Sequence, residues 1–144
     1  MVKAAASAAA IALLAPAAAS ADGKTSFEGK CGACHKKDGM GVPGLAPPLA
    51  NADWGAADKA RDYVPLVVLN GMSGKITAGG KPYVSVMPPQ KQLKDAEIAE
   101  IATYVLSTLN KNAGAPLTEA DVAAKRAEKT DHKALLAMRA EMAP

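Results

Sequence analysis

Apolar residues recur at helical spacing most clearly between residues 95 and 109. The members of this face are three or four positions apart, namely Ile98, Ile101, Ala102, Val105 and Leu109. Asp95 is suited to cap the start of the helix, and Glu97 and Glu100 lie where the helix dipole favours anions. The pattern therefore predicts an amphipathic helix over 95–109 that buries one face.

Two earlier segments also predict helices. A short helix is expected over residues 25–34, with Thr25 as its N-cap. A longer one is expected over 57–70, because its apolar residues have helical spacing and Asn70-Gly71 supplies a stop. Pro65 lies inside the second segment, which predicts either a kink or a later start.

Glycine and proline mark the segments between these helices as loops. Residues 39–48 are rich in both and are predicted to be irregular. Residues 76–86 can form a short hairpin that turns at Gly79-Gly80. The run Met87-Pro88-Pro89 cannot lie inside a helix, because proline lacks the backbone donor.

The composition changes after residue 114. Thr118 is suited to cap a helix together with Asp121, and residues 120–142 are rich in alanine and charge with few large apolar side chains. We expect residues 115–144 to form a helical C-terminal extension that packs lightly on the domain or is partly mobile. The domain itself is expected to span residues 22–114.

The first 21 residues have the organisation of a secretory signal peptide. A single cation, Lys3, precedes an apolar run, and Ala19-Ser20-Ala21 has the small-x-small form of a cleavage site. The alternative is a retained membrane anchor, but the run is shorter than the roughly 20 residues of a bilayer span. We therefore expect export to the periplasm, cleavage of the leader, and no membrane span in the mature chain.

Charge and aromatic content narrow the function further. The chain has 17 basic and 14 acidic residues, and loss of Lys3 with the leader would reduce the net charge from +3 to +2. This excess is too small to argue for a nucleic-acid partner. With one Phe, one Trp and three Tyr, the chain has few large side chains for a core, and a bulky apolar cofactor would supply the missing volume.

The chemistry is concentrated in Cys31-Gly32-Ala33-Cys34-His35. This C-x-x-C-H motif predicts covalent attachment of one haem c, through thioether bonds to both cysteines, with the histidine on the iron. Two alternatives also use a pair of cysteines: a redox-active dithiol of the thioredoxin type and a structural disulfide. Neither uses His35, and the thioredoxin fold needs strands that the pattern does not show.

The second axial ligand must come from elsewhere in the chain. Met87 is the favoured candidate, because the following Pro88-Pro89 stiffens the backbone and fixes the direction of its sulfur. Met72 is its main competitor. The remaining candidates are either too close to His35 or in the tail, namely Met40, His132, Met138 and Met142.

The order of these features resembles class I cytochrome c. The resemblance rests on the C-x-x-C-H motif, Pro47-Pro48-Leu49, Asn70-Gly71-Met72-Ser73-Gly74, Val86-Met87-Pro88-Pro89 and the helix over 95–109. It implies an all-α fold around one buried haem, with His35 and Met87 on the iron. It also implies that the first and last helices of the domain cross, where Phe27 and Tyr104 are expected to meet.

The resemblance further implies roles around the haem. The Pro47 carbonyl would accept a hydrogen bond from His35, which fixes the ring and raises its basicity. Trp54, Tyr63 and Tyr83 are candidate donors to a haem propionate, although a packing role is preferred for Tyr63. Lys36, Lys37, Lys75, Lys81 and Lys91 flank the haem-binding segments and could steer an acidic partner, or simply form a solvated face. Apolar surface near residues 41–49 is the alternative contact.

A more particular resemblance concerns residues 71–88. Their sequence is similar to that of cytochrome domains fused to, or serving, bacterial copper nitrite reductases, and to that of cytochrome subunits of periplasmic dehydrogenases. The leading hypothesis is a monomeric periplasmic one-electron carrier that is not an enzyme. The alternatives are a fixed subunit of a dehydrogenase or nitrite reductase complex, and a five-coordinate haem enzyme or gas sensor.

Overall fold

The computed structural model describes residues 20–143, so the predicted leader lies outside the described residues except for its last two positions. The helices are α1 (Ser20–Lys30), α2 (Gly32–His35), α3 (Ala60–Asn70), α4 (Asp95–Thr103), α5 (Glu119–Ala127) and α6 (His132–Met142), and a π-helical segment, Tyr104–Leu109, continues α4. The strands are β1 (Ile76–Ala78) and β2 (Lys81–Tyr83). The predicted mostly helical fold is confirmed. Within residues 20–143, no helix combines the length and apolarity needed to cross a membrane.

Helix α1 packs closely against α4. A Cβ atom on Gly23 would lie 2.5 Å from the Glu100 carbonyl oxygen, so only glycine fits at this crossing. Phe27 is fully buried one turn later, and its ring centroid lies 5.4 Å from that of Tyr104. The predicted meeting of Phe27 and Tyr104 is therefore confirmed. Thr25 is not an N-cap, because α1 begins at Ser20 and Thr25 lies inside it.

Helix α3 forms one wall of the core and starts later than expected. It begins at Ala60, so Pro65 lies within its first two turns, and it ends at Gly71 with a φ of 70°. The predicted hairpin is also present, although its strands are short. β1 and β2 pair antiparallel with Ala78 opposite Lys81, and both turn glycines have positive φ. Pro65 itself lies inside α3 as its sixth residue, so it does not mark the start of the helix.

The capping of α4 differs by one residue from the prediction. Lys94 is the N-cap, and its backbone N–H donates to the Glu97 carboxylate at 3.0 Å. Asp95 is the first helical residue and instead accepts a 2.7 Å bond from Arg126 Nε. The sequence could not show this, because the residue that draws Asp95 away lies 31 positions along the chain.

The π-helical segment ends at a side chain that organises the preceding loop. The Asn110 amide donates to the carbonyl oxygens of Val105 at 2.8 Å and Leu49 at 2.7 Å. Its oxygen accepts the Ala52 N–H at 2.7 Å. The segment predicted as an ordinary helix therefore widens where a buried amide ties it to the loop after residue 48.

The C-terminal extension forms two helices rather than one, and it packs into the core. Thr118 caps α5 as predicted, since its hydroxyl accepts the Asp121 N–H, while Asp131 caps α6. Val122 and Leu135 are both fully buried within the same core cluster as Phe27. The expectation of a lightly packed or partly mobile tail is therefore wrong. Few large residues suffice because these two side chains are inserted completely.

Candidate haem-binding site

A largely apolar pocket lies among α1, α3, α4, α6 and the loops around them. The space within it, open solvent at its mouth included, is about 1060 Å³. Phe27, Val68 and Ile101 line its interior, while Leu45 and Val86 line it from exposed positions. The pocket is thus suited to a large flat apolar group with one edge towards solvent.

Cys31 and Cys34 both line this pocket, at the junction of α1 and α2. Both thiols are free. Burial, with a smaller contribution from Cys34, raises the pKa of the Cys31 thiol to about 11. Among the described residues the strands are β1 and β2, which pair with each other, so the alternating strands and helices of a thioredoxin-type dithiol protein are not found there.

His35 ends α2 and is buried against the loop that follows. Its Nδ1 lies 2.9 Å from the carbonyl oxygen of Pro47, so the expected hydrogen bond is present. A carbonyl only accepts, so Nδ1 carries the proton and Nε2 keeps its lone pair. Burial lowers the pKa of His35, opposed in part by the bond to Pro47. The neutral ring that results is the form that binds a metal.

Met72 and Met87 both line the pocket, and they face each other. The backbone N–H of each donates to the carbonyl of the other, at 3.0 and 2.9 Å. Met72 is 6% exposed and belongs to the core cluster, whereas Met87 is partly buried at its edge. None of the other sequence candidates, Met40, His132, Met138 and Met142, lines the pocket.

His132 in particular is occupied elsewhere. Its Nε2 donates to the Asn70 carbonyl at 3.1 Å, and its Nδ1 pairs with the Ser73 hydroxyl. Both ring nitrogens therefore fasten α6 to Asn70 and Ser73, which lie on either side of Met72. This is a structural role that sequence reasoning left unspecified.

The three aromatic residues expected near a propionate all reach the pocket. Trp54, Tyr63 and Tyr83 are each buried and line it. Trp54 and Tyr63 pack edge to face with centroids 5.4 Å apart, which agrees with the packing role preferred for Tyr63. Tyr63 also contacts Arg139, since the guanidinium Nη1 lies 3.5 Å from the Tyr63 hydroxyl.

Arg139 is the pocket residue that sequence reasoning missed. It lies on α6 and is 7% exposed. Nothing in an alanine-rich tail with several scattered cations distinguishes this arginine from its neighbours. Only the folding of α6 back over α3 and β1 brings it to the pocket.

The residues present fit a covalently held haem. The pocket brings together two thiols, a neutral imidazole with a fixed tautomer, and thioether sulfur, and these are the donor types that c-type haem uses. The surrounding wall is apolar, which suits the porphyrin ring. It also contains the buried cation of Arg139, which suits the propionate edge of a haem. Attachment would take place at the pocket's C-x-x-C-H end.

Comparisons with known proteins give the same family. The cytochrome c family model matches residues 20–109. Cytochrome c-552 from Thermus thermophilus is 36% identical over 132 residues, covering 88% of each chain, so the aligned region extends beyond the residues matched by the family model. Another cytochrome c-552 of this species is 36% identical over 119 residues, 78% of this chain and 91% of that protein.

A more distant relative has a different context. The gluconate 2-dehydrogenase cytochrome c subunit of Pantoea cypripedii is 26% identical over 108 residues, which is 75% of this chain but 24% of that protein. The particular resemblance to cytochromes of copper nitrite reductases is not confirmed by these relatives. The chain belongs to the cytochrome c family, as a class I mono-haem member that carries electrons on one covalently bound haem c.

Proposed function

We propose that this protein is a periplasmic one-electron carrier whose haem is attached to Cys31 and Cys34 and coordinated by His35 and Met87. The observation that carries the proposal is the convergence of both cysteines, the His35–Pro47 pair and the two methionines on one apolar pocket. A haem with two protein ligands supplies reversible one-electron chemistry without an open coordination position.

His35 is positioned for this role by its hydrogen bond to the Pro47 carbonyl. The Pro47 carbonyl fixes the ring tautomer and makes Nε2 more basic, and the buried position keeps the ring neutral. The Pro47 loop is itself fixed by Asn110, which accepts the Ala52 N–H and donates to the Leu49 carbonyl. The axial ligand is therefore supported by a chain of hydrogen bonds that reaches the π-helical segment.

Met87 is proposed as the second ligand, with Met72 as a packing neighbour. Met72 is buried in the core, where a thioether fills space, whereas Met87 lies at the pocket's margin. Pro88 and Pro89 restrict the backbone after Met87, so its sulfur is held in a narrow range of directions. Trp54 and Tyr83 are proposed as donors to the haem propionates from their buried positions on the pocket wall.

We infer that redox partners dock where the pocket opens. Large apolar residues are exposed there: Leu45 is 54% exposed and Val86 67%. The Ser85 hydroxyl donates to the Gly44 carbonyl at 3.1 Å and joins the two loops that carry them. The lysines that flank the haem-binding segments are all exposed, namely Lys36, Lys37, Lys75, Lys81 and Lys91. They would steer an acidic partner electrostatically, which raises the association rate and weakens with salt.

The donor and acceptor are proposed only by class, as periplasmic redox proteins. The name of the Pantoea cypripedii relative favours a dehydrogenase as one partner. It also agrees with the alternative that this chain is a fixed subunit of a dehydrogenase complex. If the C-terminal extension served as a docking element in such a complex, it would have to use its exposed face, because Val122 and Leu135 are buried against the protein's own core. A carrier role without enzymatic activity is the simpler proposal.

An optical spectrum of the protein matured with haem-attachment machinery tests the proposal. It would be recorded oxidised, reduced, and reduced with carbon monoxide. We expect a covalent low-spin haem, a sulfur-to-iron band in the oxidised protein, and no carbon monoxide binding. A high-spin haem that binds carbon monoxide would favour the enzyme or sensor alternative, and a chain without covalent haem would overturn the assignment of Cys31 and Cys34.

A further inference from the structure

The pocket contains one permanent charge among the described residues that line it. That charge is the guanidinium of Arg139, which enters from α6. The rest of the wall is apolar or neutral, apart from the two thiols and the buried His35. An arginine is always ionised, and a buried cation in an apolar wall is costly without an anionic partner.

Within residues 20–143, the hydrogen-bond acceptors of Arg139 are neutral oxygen atoms. Nη2 donates to the Thr77 carbonyl at 2.9 Å, and Nη1 approaches the Tyr63 hydroxyl at 3.5 Å. A guanidinium has more N–H donors than these two contacts use. The described part of the chain places no carboxylate within 4.0 Å of it, and the ion pairs of the extension involve other residues, namely Lys59–Glu141, Lys125–Asp62, Lys125–Glu128 and Arg126–Asp95.

Tyr63 adds a second donor at the same point of the wall. A guanidinium only donates, so the Tyr63 oxygen accepts from Arg139 and its own hydrogen remains available. Burial raises the pKa of Tyr63, and Arg139 opposes this only in part, so the phenol keeps its proton. Together the two side chains present a cation and an O–H group towards an acceptor in the pocket.

We propose that Arg139 is the cationic partner of a haem propionate, which makes the C-terminal helix α6 part of the haem site. The proposal rests on the haem assignment above. A propionate carboxylate has the charge and planar shape that a guanidinium binds best. Through Arg139, α6 positions the acidic edge of the haem, while His132 and the Thr77 contact fasten the same helix to the loop and strand beside the pocket.

The pairing has a consequence for the reduction potential. A propionate that is neutralised by Arg139 contributes little negative charge at the iron. Loss of the guanidinium leaves an uncompensated anion nearby, which favours ferric over ferrous haem and lowers the potential. The pKa of that propionate also rises towards its ordinary range, so the potential gains an additional proton-linked step as pH increases.

The test compares three variants of the haem-loaded protein: Arg139→Gln, Arg139→Lys and Arg126→Gln. Arg126 is the matched control, because it also fastens the extension, through Asp95 and the carbonyls of Lys91 and Leu93, but does not line the pocket. We expect Arg139→Gln to lower the potential and add a step to its pH profile. Arg139→Lys retains part of the effect, and Arg126→Gln matches the parent.

A measurement on the unaltered protein covers the case in which Arg139→Gln fails to fold. In the reduced, diamagnetic protein, nuclear Overhauser contacts are expected between the Arg139 guanidinium and a propionate methylene. Contacts to Tyr63 and Thr77 alone would overturn the proposal, as would a potential and pH profile of Arg139→Gln identical to those of the parent. A parent protein without covalent low-spin haem would instead show failure of the underlying haem assignment.

Discussion

Met72 and Met87 are paired across two loops by reciprocal backbone hydrogen bonds of 3.0 and 2.9 Å. Residues that exchange both bonds of an antiparallel bridge lie directly opposite each other, so the pairing brings both side chains to the same pocket. The sequence separates them by 15 positions and favours Met87 on local grounds alone. The structure therefore places both candidate sulfur ligands at the same pocket.

Substitution of the two methionines by leucine separates a ligand from a packing residue. We expect Met87→Leu to abolish the sulfur-to-iron band, lower the reduction potential and allow carbon monoxide to bind the reduced protein, because an alkyl group cannot replace thioether sulfur on iron. Met72→Leu should keep the band, since it nearly conserves volume in the core, and should cost less than about 1.5 kcal/mol of stability. The reverse pattern in the oxidised optical spectra would assign Met72 as the ligand.

Two glycines of α1 should respond to alanine in opposite directions. Gly23→Ala places a methyl group 2.5 Å from the Glu100 carbonyl oxygen and should destabilise the protein by about 1–3 kcal/mol. Gly29→Ala meets nothing within 4 Å and should stabilise it by about 0.5–1 kcal/mol through helix propensity. Denaturant unfolding of the haem-loaded variants measures both. Equal effects at the two positions would show that α1 does not cross α4 as closely as described.

Asn110 should be one of the most costly polar residues to remove. Asn110→Ala leaves the Leu49 and Val105 carbonyls and the Ala52 N–H without their partners, and we expect a loss of about 2–4 kcal/mol. Ser107→Ala is the control on the same π-helical segment, since its exposed hydroxyl makes a single bond to Thr103 and should change stability by less than about 0.5 kcal/mol. Thermal unfolding compares the two, and a small effect at Asn110 would contradict its role in fixing the Pro47 loop.

Adjacent leucines in α6 test whether the extension belongs to the core. Leu135 is fully buried, and Leu135→Ala should cost about 2–5 kcal/mol. Leu136 is partly buried and lies against Gly74, so Leu136→Ala should cost distinctly less. If both changes left the denaturant midpoint unaltered, the extension would be an appendage, as the sequence pattern first suggested.

Local chemistry explains which predictions could be made from sequence. The C-x-x-C-H motif, the Pro47 and Met87-Pro88-Pro89 segments, the Gly79-Gly80 turn and the Thr118–Asp121 capping box all act over a few residues, so their composition is sufficient to indicate them. The amphipathic face over 95–109 was also visible for this reason. Errors of one to five residues at helix starts arose where tertiary partners intervened, as Arg126 does with Asp95.

The sequence by itself determined that the chain binds a haem and that the surrounding fold is helical, because a haem-attachment motif and helical periodicity are local properties of the chain. Tertiary structure decided which side chains complete the site. Arg139 reaches the pocket, and Met72 joins Met87, through contacts between segments 15 to 76 residues apart. Such contacts depend on how helices pack and how buried charges find partners, and no local pattern encodes either.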